Sequence, residues 1–164
     1  MGIYKRYNCI RDCVADLASS FGLSCRTEVA LPGSELVPAD VFFPSFADEA
    51  TAVDVSVVHP LHPSHNAHAA VTAGAAAEAR AADKVSLYGD KCKTRSWSYW
   101  AVVAETTGAW NQAGQRFLGR LVRARALRTG EPLAYASMAV WANVTVALAK
   151  AVTRQLVRAV QKPG

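Results

Sequence analysis

Four segments of the 164-residue chain have the apolar spacing or the Ala-rich composition of α-helices, over about residues 4–21, 65–88, 111–128 and 135–160. Gly22 is expected to end the first helix, because glycine readily adopts the left-handed conformation that follows a helix. Ser64 is a candidate cap for the second helix, which Gly74 interrupts without necessarily ending it. The remaining stretches are left for strands and turns.

Four further segments are predicted as strands: 24–31, whose residues alternate between two faces, 39–43, the Val-rich 51–58, and 97–105, which is rich in Trp, Tyr and Val. A Pro-Gly-Ser turn at 32–34 follows the first strand, and residues 44–50 are expected to turn the second into the third. The Val-rich third strand suits burial on both faces of a sheet. The order is therefore α-β-β-β-α-β-α-α, an α/β (α+β) class. We expect one domain over residues 1–164, with a core over about 5–105 and two helices over about 109–160.

The last predicted helix is apolar enough to raise the question of a membrane span. Four polar or charged residues interrupt its apolar run, so we expect it to pack against the core and predict no membrane partner: Asn143, Lys150, Arg154 and Arg158. Its apolar stripe consists of Trp141, Val144, Leu148, Val152 and Leu156.

The cysteines predict no disulfide framework and follow no zinc-finger spacing: Cys9, Cys13, Cys25 and Cys92. No signal peptide is recognised at the start of the chain, so we expect reduced thiols and an intracellular protein. Cys9 and Cys13 lie one helical turn apart, which leaves a zinc role open. A hydrophobic content of 51% argues against wholesale disorder.

Charge is distributed unevenly along the chain. Residues 1–90 contain six Lys/Arg and eleven Asp/Glu, whereas residues 91–164 contain twelve and two. An acidic half beside a basic half indicates a metal site in one and a polyanion site in the other; solubility alone is the alternative. The candidate phosphate contacts are Lys91, Lys93, Arg95, Arg116, Arg120, Arg123, Lys150, Arg154 and Arg158. Trp97 and Tyr99 follow the first three and are candidates either for contact with unpaired bases or for the core.

Two aspartates fall on neighbouring predicted strands. Asp40 lies at the start of the second strand and Asp54 lies within the third. A hairpin joining these strands would bring the two carboxylates together. Since divalent cations prefer oxygen ligands, usually one or two carboxylates with waters and substrate phosphates, the pair predicts a metal-dependent phosphodiesterase site.

Four short motifs occur in order: Arg6-Tyr7-Asn8, Pro38-Ala39-Asp40, Asp54-Val55-Ser56-Val57 and Lys84-Val85-Ser86-Leu87-Tyr88. Over about residues 6–105 this set resembles the PD-(D/E)XK nuclease superfamily of restriction-endonuclease-like folds. The likeness is greatest to the restriction-like endonuclease domain of site-specific non-LTR retrotransposons and related reverse-transcriptase-derived proteins. The chain departs from the pattern at Ala39, which is inserted, at Ser56, where the superfamily usually has lysine, and at Tyr7, where that family has histidine.

The resemblance implies a Mg²⁺- or Mn²⁺-dependent DNA endonuclease. Asp54 would be the central metal ligand and Asp40 the second, while Lys84 would replace the missing lysine in activating water or stabilising phosphate charge. Arg6 and Asn8 would contact the nucleic acid. The implied partners are DNA, with RNA as an alternative, and a fused or associated reverse transcriptase; a nuclear location follows if the chain is retrotransposon-derived.

Several neighbours are candidates with structural alternatives. Glu28 could reach the metal through water or be an exposed strand residue, Ser56 shares the face of Asp54, and Tyr88 follows Lys84 by one turn and could equally be packing. A run of histidines leaves a zinc site as a weaker alternative: His59, His62, His65 and His68.

Two rival functions remain open from the sequence. The absence of lysine two residues after Asp54 favours a nucleic-acid-binding domain that has lost catalysis. An assembly module is the other, in which the last two helices mediate oligomerisation and the stripe containing Trp141 is exposed in the monomer. The oligomeric state is not predicted.

Overall fold

The computed structural model describes residues 8–62 and 71–160. Their helices are α1 (Asn8–Ser20), α2 (Ala75–Lys93), α3 (Gln112–Thr129) and α4 (Leu133–Val160), and their strands are β1 (Arg26–Val29), β2 (Ala39–Phe46), β3 (Glu49–Val58) and β4 (Trp97–Glu105). The predicted element order and the mixed α/β class are confirmed, and β4 has the predicted bounds.

The strands form one mixed sheet in the order β1-β2-β3-β4. β1, β2 and β3 form an antiparallel meander, and β4 pairs with β3 in parallel. A parallel neighbour requires a crossover connection, and the segment containing α2 provides it.

Helices cover both faces of β3. Val53, Val55 and Val57 belong to the main core, which the sheet shares with α1, α3 and α4. The intervening positions Ala52, Asp54 and Ser56 lie on the other face, where α2 packs on β4. The prediction that this strand is buried on both faces is confirmed, and the second of these faces holds the candidate site.

The predicted turn over 44–50 is wrong in its extent. β2 continues to Phe46, and the chain reverses at Ala47 and Asp48, whose φ angles are 51° and 67°. Two consecutive positive φ angles belong to the turn geometry that matches strand twist in tight hairpins. Pro44 stays within the strand because the register shifts between Phe43 and Phe46, and a bulge tolerates a missing N–H.

Two glycines about which the sequence made predictions lie at helix boundaries, one after α1 and one before α2. Gly22 (φ 77°) ends α1 as predicted: its N–H donates to Ser19 at 3.0 Å, and that of Leu23 donates to Ala18 at 2.9 Å. Gly74 (φ 86°) precedes the first residue of α2, so the prediction of a helix continuing through Gly74 is wrong. Ser64 lies outside the described residues.

α4 is long and apolar enough over Leu133–Val157 to cross a membrane by length and composition, and 33% of an 18-residue window within that stretch is buried inside the protein. Val144 and Leu148 are buried against the main core as the predicted stripe requires. Leu156 is 62% exposed, contrary to that prediction. Arg154 of α4 contacts Cys9, near the start of α1, so Leu156 lies beyond the part of α1 that packs on α4. Since most of the stripe is covered, the expectation that it is exposed in the monomer is wrong.

Candidate metal centre

Asp40 and Asp54 lie side by side on the sheet face that α2 covers. β2 and β3 pair with Val41 opposite Val53, so one further step of the antiparallel register places Asp40 opposite Asp54. The two carboxyl groups are within hydrogen-bonding reach of each other. The hairpin therefore brings the two acids together, as the sequence led us to expect.

Asp54 is held through both of its oxygens. Lys84 Nζ lies 2.5 Å from Oδ1, and the Tyr99 hydroxyl donates to Oδ2 at 2.9 Å. Asp54 is only 6% exposed, and the Lys84 side chain is 12% exposed. A buried carboxylate needs such partners, since an unpaired charge would be costly to remove from water. The packing of α2 over the sheet directs Lys84 towards Asp54, as the role assigned to Lys84 requires.

The carboxyl of Asp40 is half-buried beside a second negative charge. Its Oδ2 accepts the backbone N–H of Val55 at 2.7 Å. Burial and then the charge of Asp54 raise the pKa of Asp40 from an ordinary 3.8 to about 6, although the Val55 hydrogen bond and Lys84 oppose the rise. Asp40 is therefore ionised at neutral pH, at an energetic cost that a nearby cation would relieve.

Tyr99 is a site residue that the sequence did not assign to this centre. Its hydroxyl holds Asp54, and burial followed by the Asp54 charge raises the Tyr99 pKa above its ordinary value of 10. Tyr88 lies nearby, with ring centroids 6.1 Å apart. Strand alternation contained a signal: Tyr99 and Ala101 share a face, and Ala101 is the β4 partner of Asp54.

Ser56 lies two residues beyond Asp54 on the same face of β3. It is 1% exposed, and in the part of the chain that the structure describes its Oγ is the one buried side-chain oxygen or nitrogen without a hydrogen-bond partner. A buried hydroxyl without a hydrogen bond destabilises the fold, so the Ser56 hydroxyl is available to hydrogen-bond a water or another oxygen ligand on this face.

Glu28 is near the acid pair in register but not in contact with it. The pairing of Thr27 with Val41 and of Val29 with Ala39 sets Glu28 opposite Asp40. Its φ of 54° departs from strand geometry within β1, its side chain is 64% exposed, and Arg11 binds its carboxylate at 2.5 Å. The structure thus does not bring Glu28 to the acid pair.

Within the described ranges, no group of three His, Cys, Asp or Glu side chains is placed to hold zinc or another metal. His59 Nδ1 contacts the hydroxyl of Thr106 at 3.0 Å, and His65 and His68 lie outside those ranges. Burial raises the pKa of the Cys13 thiol to about 11, which disfavours the thiolate that zinc requires.

The basic rows on α3 and α4 lie away from the acid pair. Both helices pack on the sheet face opposite to Asp54, which carries Arg116, Arg120, Arg123, Lys150 and Arg154 away from it. Lys91, Lys93 and Arg95 are exposed at the C-terminal end of α2, in the same layer as the acid pair. Trp97 packs on Phe42 with centroids 4.4 Å apart. Arg6 and the side chains of Asn8 and Arg158 lie outside the description.

The donor set suits a hard divalent cation. Asp40 and Asp54 offer carboxylate oxygens on one face, and no thiol or imidazole among the described side chains joins them as a third donor. Mg²⁺ and Mn²⁺ bind oxygen ligands, with waters completing their coordination.

Comparison of the sequence with protein-family models and with curated proteins gives no match. Function must therefore be inferred from the site itself.

Proposed function

We propose that the protein is a Mg²⁺- or Mn²⁺-dependent endonuclease that hydrolyses phosphodiester bonds in DNA, built on a restriction-endonuclease-like core. One observation carries the proposal: two adjacent carboxylates share a sheet face with a largely buried lysine whose ammonium reaches one of them. The element order, the mixed sheet and the motif set that includes both aspartates and Lys84 support the same conclusion.

Asp40 and Asp54 would hold the cation. When bound, the metal would supply Lewis acidity, lowering the pKa of a coordinated water and polarising the phosphate. The two carboxylates favour a cation because burial and then the charge of Asp54 disfavour the ionised form of Asp40 and raise its pKa, and a bound cation would offset both. Tyr99 fixes the Asp54 carboxylate in one orientation, so less side-chain freedom is lost when a cation binds.

Lys84 would neutralise charge at the reacting phosphate or favour deprotonation of the attacking water. Its ammonium is attached to a flexible four-carbon chain, so it can leave Asp54 without movement of α2. In the structure it acts as the counter-ion of the acid pair. The retrotransposon likeness suggests nicking in support of target-primed insertion, with a reverse transcriptase as fused or associated partner.

The test is cleavage of supercoiled plasmid by the purified chain in Mg²⁺ or Mn²⁺. We expect nicking by the wild type, loss of at least 100-fold in Asp54→Asn, and unchanged nicking in Asp83→Asn, an exposed aspartate next to Lys84 on α2. Mn²⁺ titration followed by electron paramagnetic resonance supplies a measurement that is independent of turnover. Equal cleavage by Asp54→Asn and wild type would refute the assignment.

A second candidate is a nucleic-acid-binding domain of the same fold without catalysis. Its support is that both oxygens of Asp54 are already engaged, by Lys84 and Tyr99, in addition to the serine at position 56. Binding of labelled DNA without cleavage in any divalent metal, together with no Mn²⁺ binding, would favour this candidate over the first.

A further inference from the structure

A groove of about 460 Å³ lies between α3 and the β2–β3 hairpin, in the layer opposite to the acid pair. Three arginines of α3 line it, and Asp48 at the hairpin turn is its one acidic lining residue among those described. Its apolar lining includes Leu23, Phe46, Ala124 and Leu127. The groove therefore combines an excess of positive charge with an apolar surface.

Two of the three guanidinium groups are held in place by the fold. Arg120 stacks over the ring of Trp100, 4.9 Å from its centroid, and Arg128 Nη1 donates to the carbonyl of Gly22 at 2.9 Å. A guanidinium has five N–H donors in a rigid plane, so each contact leaves further donors for a ligand. Arg123 is exposed between them along the helix.

Among the described residues, the three groove arginines lack ion pairs of the kind that Arg11 and Arg125 form. Arg11 pairs with Asp12 and Glu28, and Arg125 pairs with Glu131. Among residues 8–62 and 71–160, no carboxylate forms an ion pair with any of the three groove arginines. Uncompensated charge in a concave surface concentrates field and attracts a polyanion.

We infer that this groove binds the phosphate backbone of a nucleic-acid strand, at a position separate from the acid pair. Arginine provides the planar, multiple hydrogen bonds that phosphate accepts, and Leu127, 87% exposed, offers an apolar contact to a sugar or base. Phe46 lies six positions along β2 from Asp40, at most about 20 Å at 3.3 Å per residue. The inference rests on the proposed function for the choice of nucleic acid as the polyanion.

The test is fluorescence anisotropy of the full chain with a labelled 20-nucleotide single strand, in EDTA, over a series of salt concentrations. Arg123→Gln is expected to weaken binding about tenfold at low salt and to lower the slope of log K against log [salt] by about 0.7, the value for one lost contact to a single strand. Arg80→Gln, an exposed arginine on α2, is the matched control and should leave both quantities unchanged. Equal effects of the two substitutions would overturn the inference.

A second variant tests the same groove by adding negative charge to it. Leu127→Glu places a carboxylate among the guanidinium groups on an exposed side chain, so folding should persist while binding falls at least tenfold. Competition by polyglutamate as effective as by the oligonucleotide would overturn the assignment to nucleic acid. Because the binding assay contains no metal, its outcome does not depend on cleavage. If Arg123→Gln weakens binding while the protein shows no nuclease activity, the groove assignment is retained. If the protein cleaves DNA but Arg123→Gln does not weaken binding, the groove assignment is refuted.

Discussion

Replacing Asp40 with asparagine should stabilise the protein at neutral pH. Asparagine has nearly the same shape, and its side-chain oxygen can still accept the Val55 N–H that Asp40 accepts at 2.7 Å. What the substitution removes is a half-buried negative charge beside Asp54. The expected gain follows from the pKa of Asp40, which burial and then Asp54 raise from 3.8 to about 6.

The sign follows from proton linkage. In the unfolded chain Asp40 ionises near its ordinary pKa of 3.8, and in the folded chain only near 6, so between these values the folded state binds more protons. The free energy of unfolding therefore falls as pH rises through this window, and the full cost is present above pH 6. A difference of about two pKa units is roughly 3 kcal/mol, so we expect Asp40→Asn to gain about 2–3 kcal/mol at pH 7 and little at pH 4.

The assay is urea denaturation of wild type and Asp40→Asn from pH 4 to 7.5 in EDTA, with the difference plotted against pH. Asp83→Asn, an exposed change of the same charge, controls for general charge effects. A difference that stays flat with pH, or a destabilised Asp40→Asn at pH 7, would refute the reasoning. Excess Mg²⁺ should stabilise the wild type at pH 7 and raise the stability of Asp40→Asn less.

Four further substitutions test the contacts around the site and the helix starts. Lys84→Met should cost about 2–4 kcal/mol in urea denaturation because Asp54 loses its buried counter-ion, and adding Asp54→Asn should recover most of it; additive losses would contradict the pair. Tyr99→Phe should cost about 1–2 kcal/mol and weaken Mn²⁺ binding, whereas unchanged stability and Mn²⁺ affinity would deny it a role. Glu105 is buried and accepts two N–H groups at the start of α2, so Glu105→Gln should lower the melting temperature by an amount equivalent to about 1–2 kcal/mol. An unchanged melting temperature would exclude that capping role. Asn111→Ala should lower the free energy of unfolding in urea denaturation by about 2–4 kcal/mol, because it leaves the Val103 N–H and the Ala101 carbonyl unpaired. A loss below about 1 kcal/mol would mean that water replaces the side chain.

The local conflicts between sequence and structure have identifiable physical reasons. The tight hairpin was not predicted because proline usually marks a turn and tight hairpin loops usually contain glycine. Here Pro44 lies within β2, and the turn residues Ala47 and Asp48 are not glycine. α2 begins after Gly74 because Glu105, distant in sequence, accepts an N–H group of its first turn. Leu156 follows the helical period but extends beyond the neighbour that would bury it.

The sequence predicted some contacts of the candidate site and not others. Strand pairing made the meeting of Asp40 and Asp54 predictable, since a hairpin aligns residues at fixed register. The contact of Lys84 with Asp54 was expected only through a resemblance. The hydroxyl of Tyr99 and the capture of Glu28 by Arg11 were not predicted, because each depends on which partner a side chain meets across elements.

Periodicity and residue type alone determined the order of helices and strands, the doubly buried β3 and the hairpin that joins the two acids, since these are properties of short segments. Only the tertiary structure decided which helix covers which sheet face. That choice places Lys84 and Tyr99 on Asp54 and places the arginines of α3 on the opposite side. The physical reason is that sequence periodicity identifies the apolar side of an element, while the packing of the whole core determines which polar groups become its neighbours.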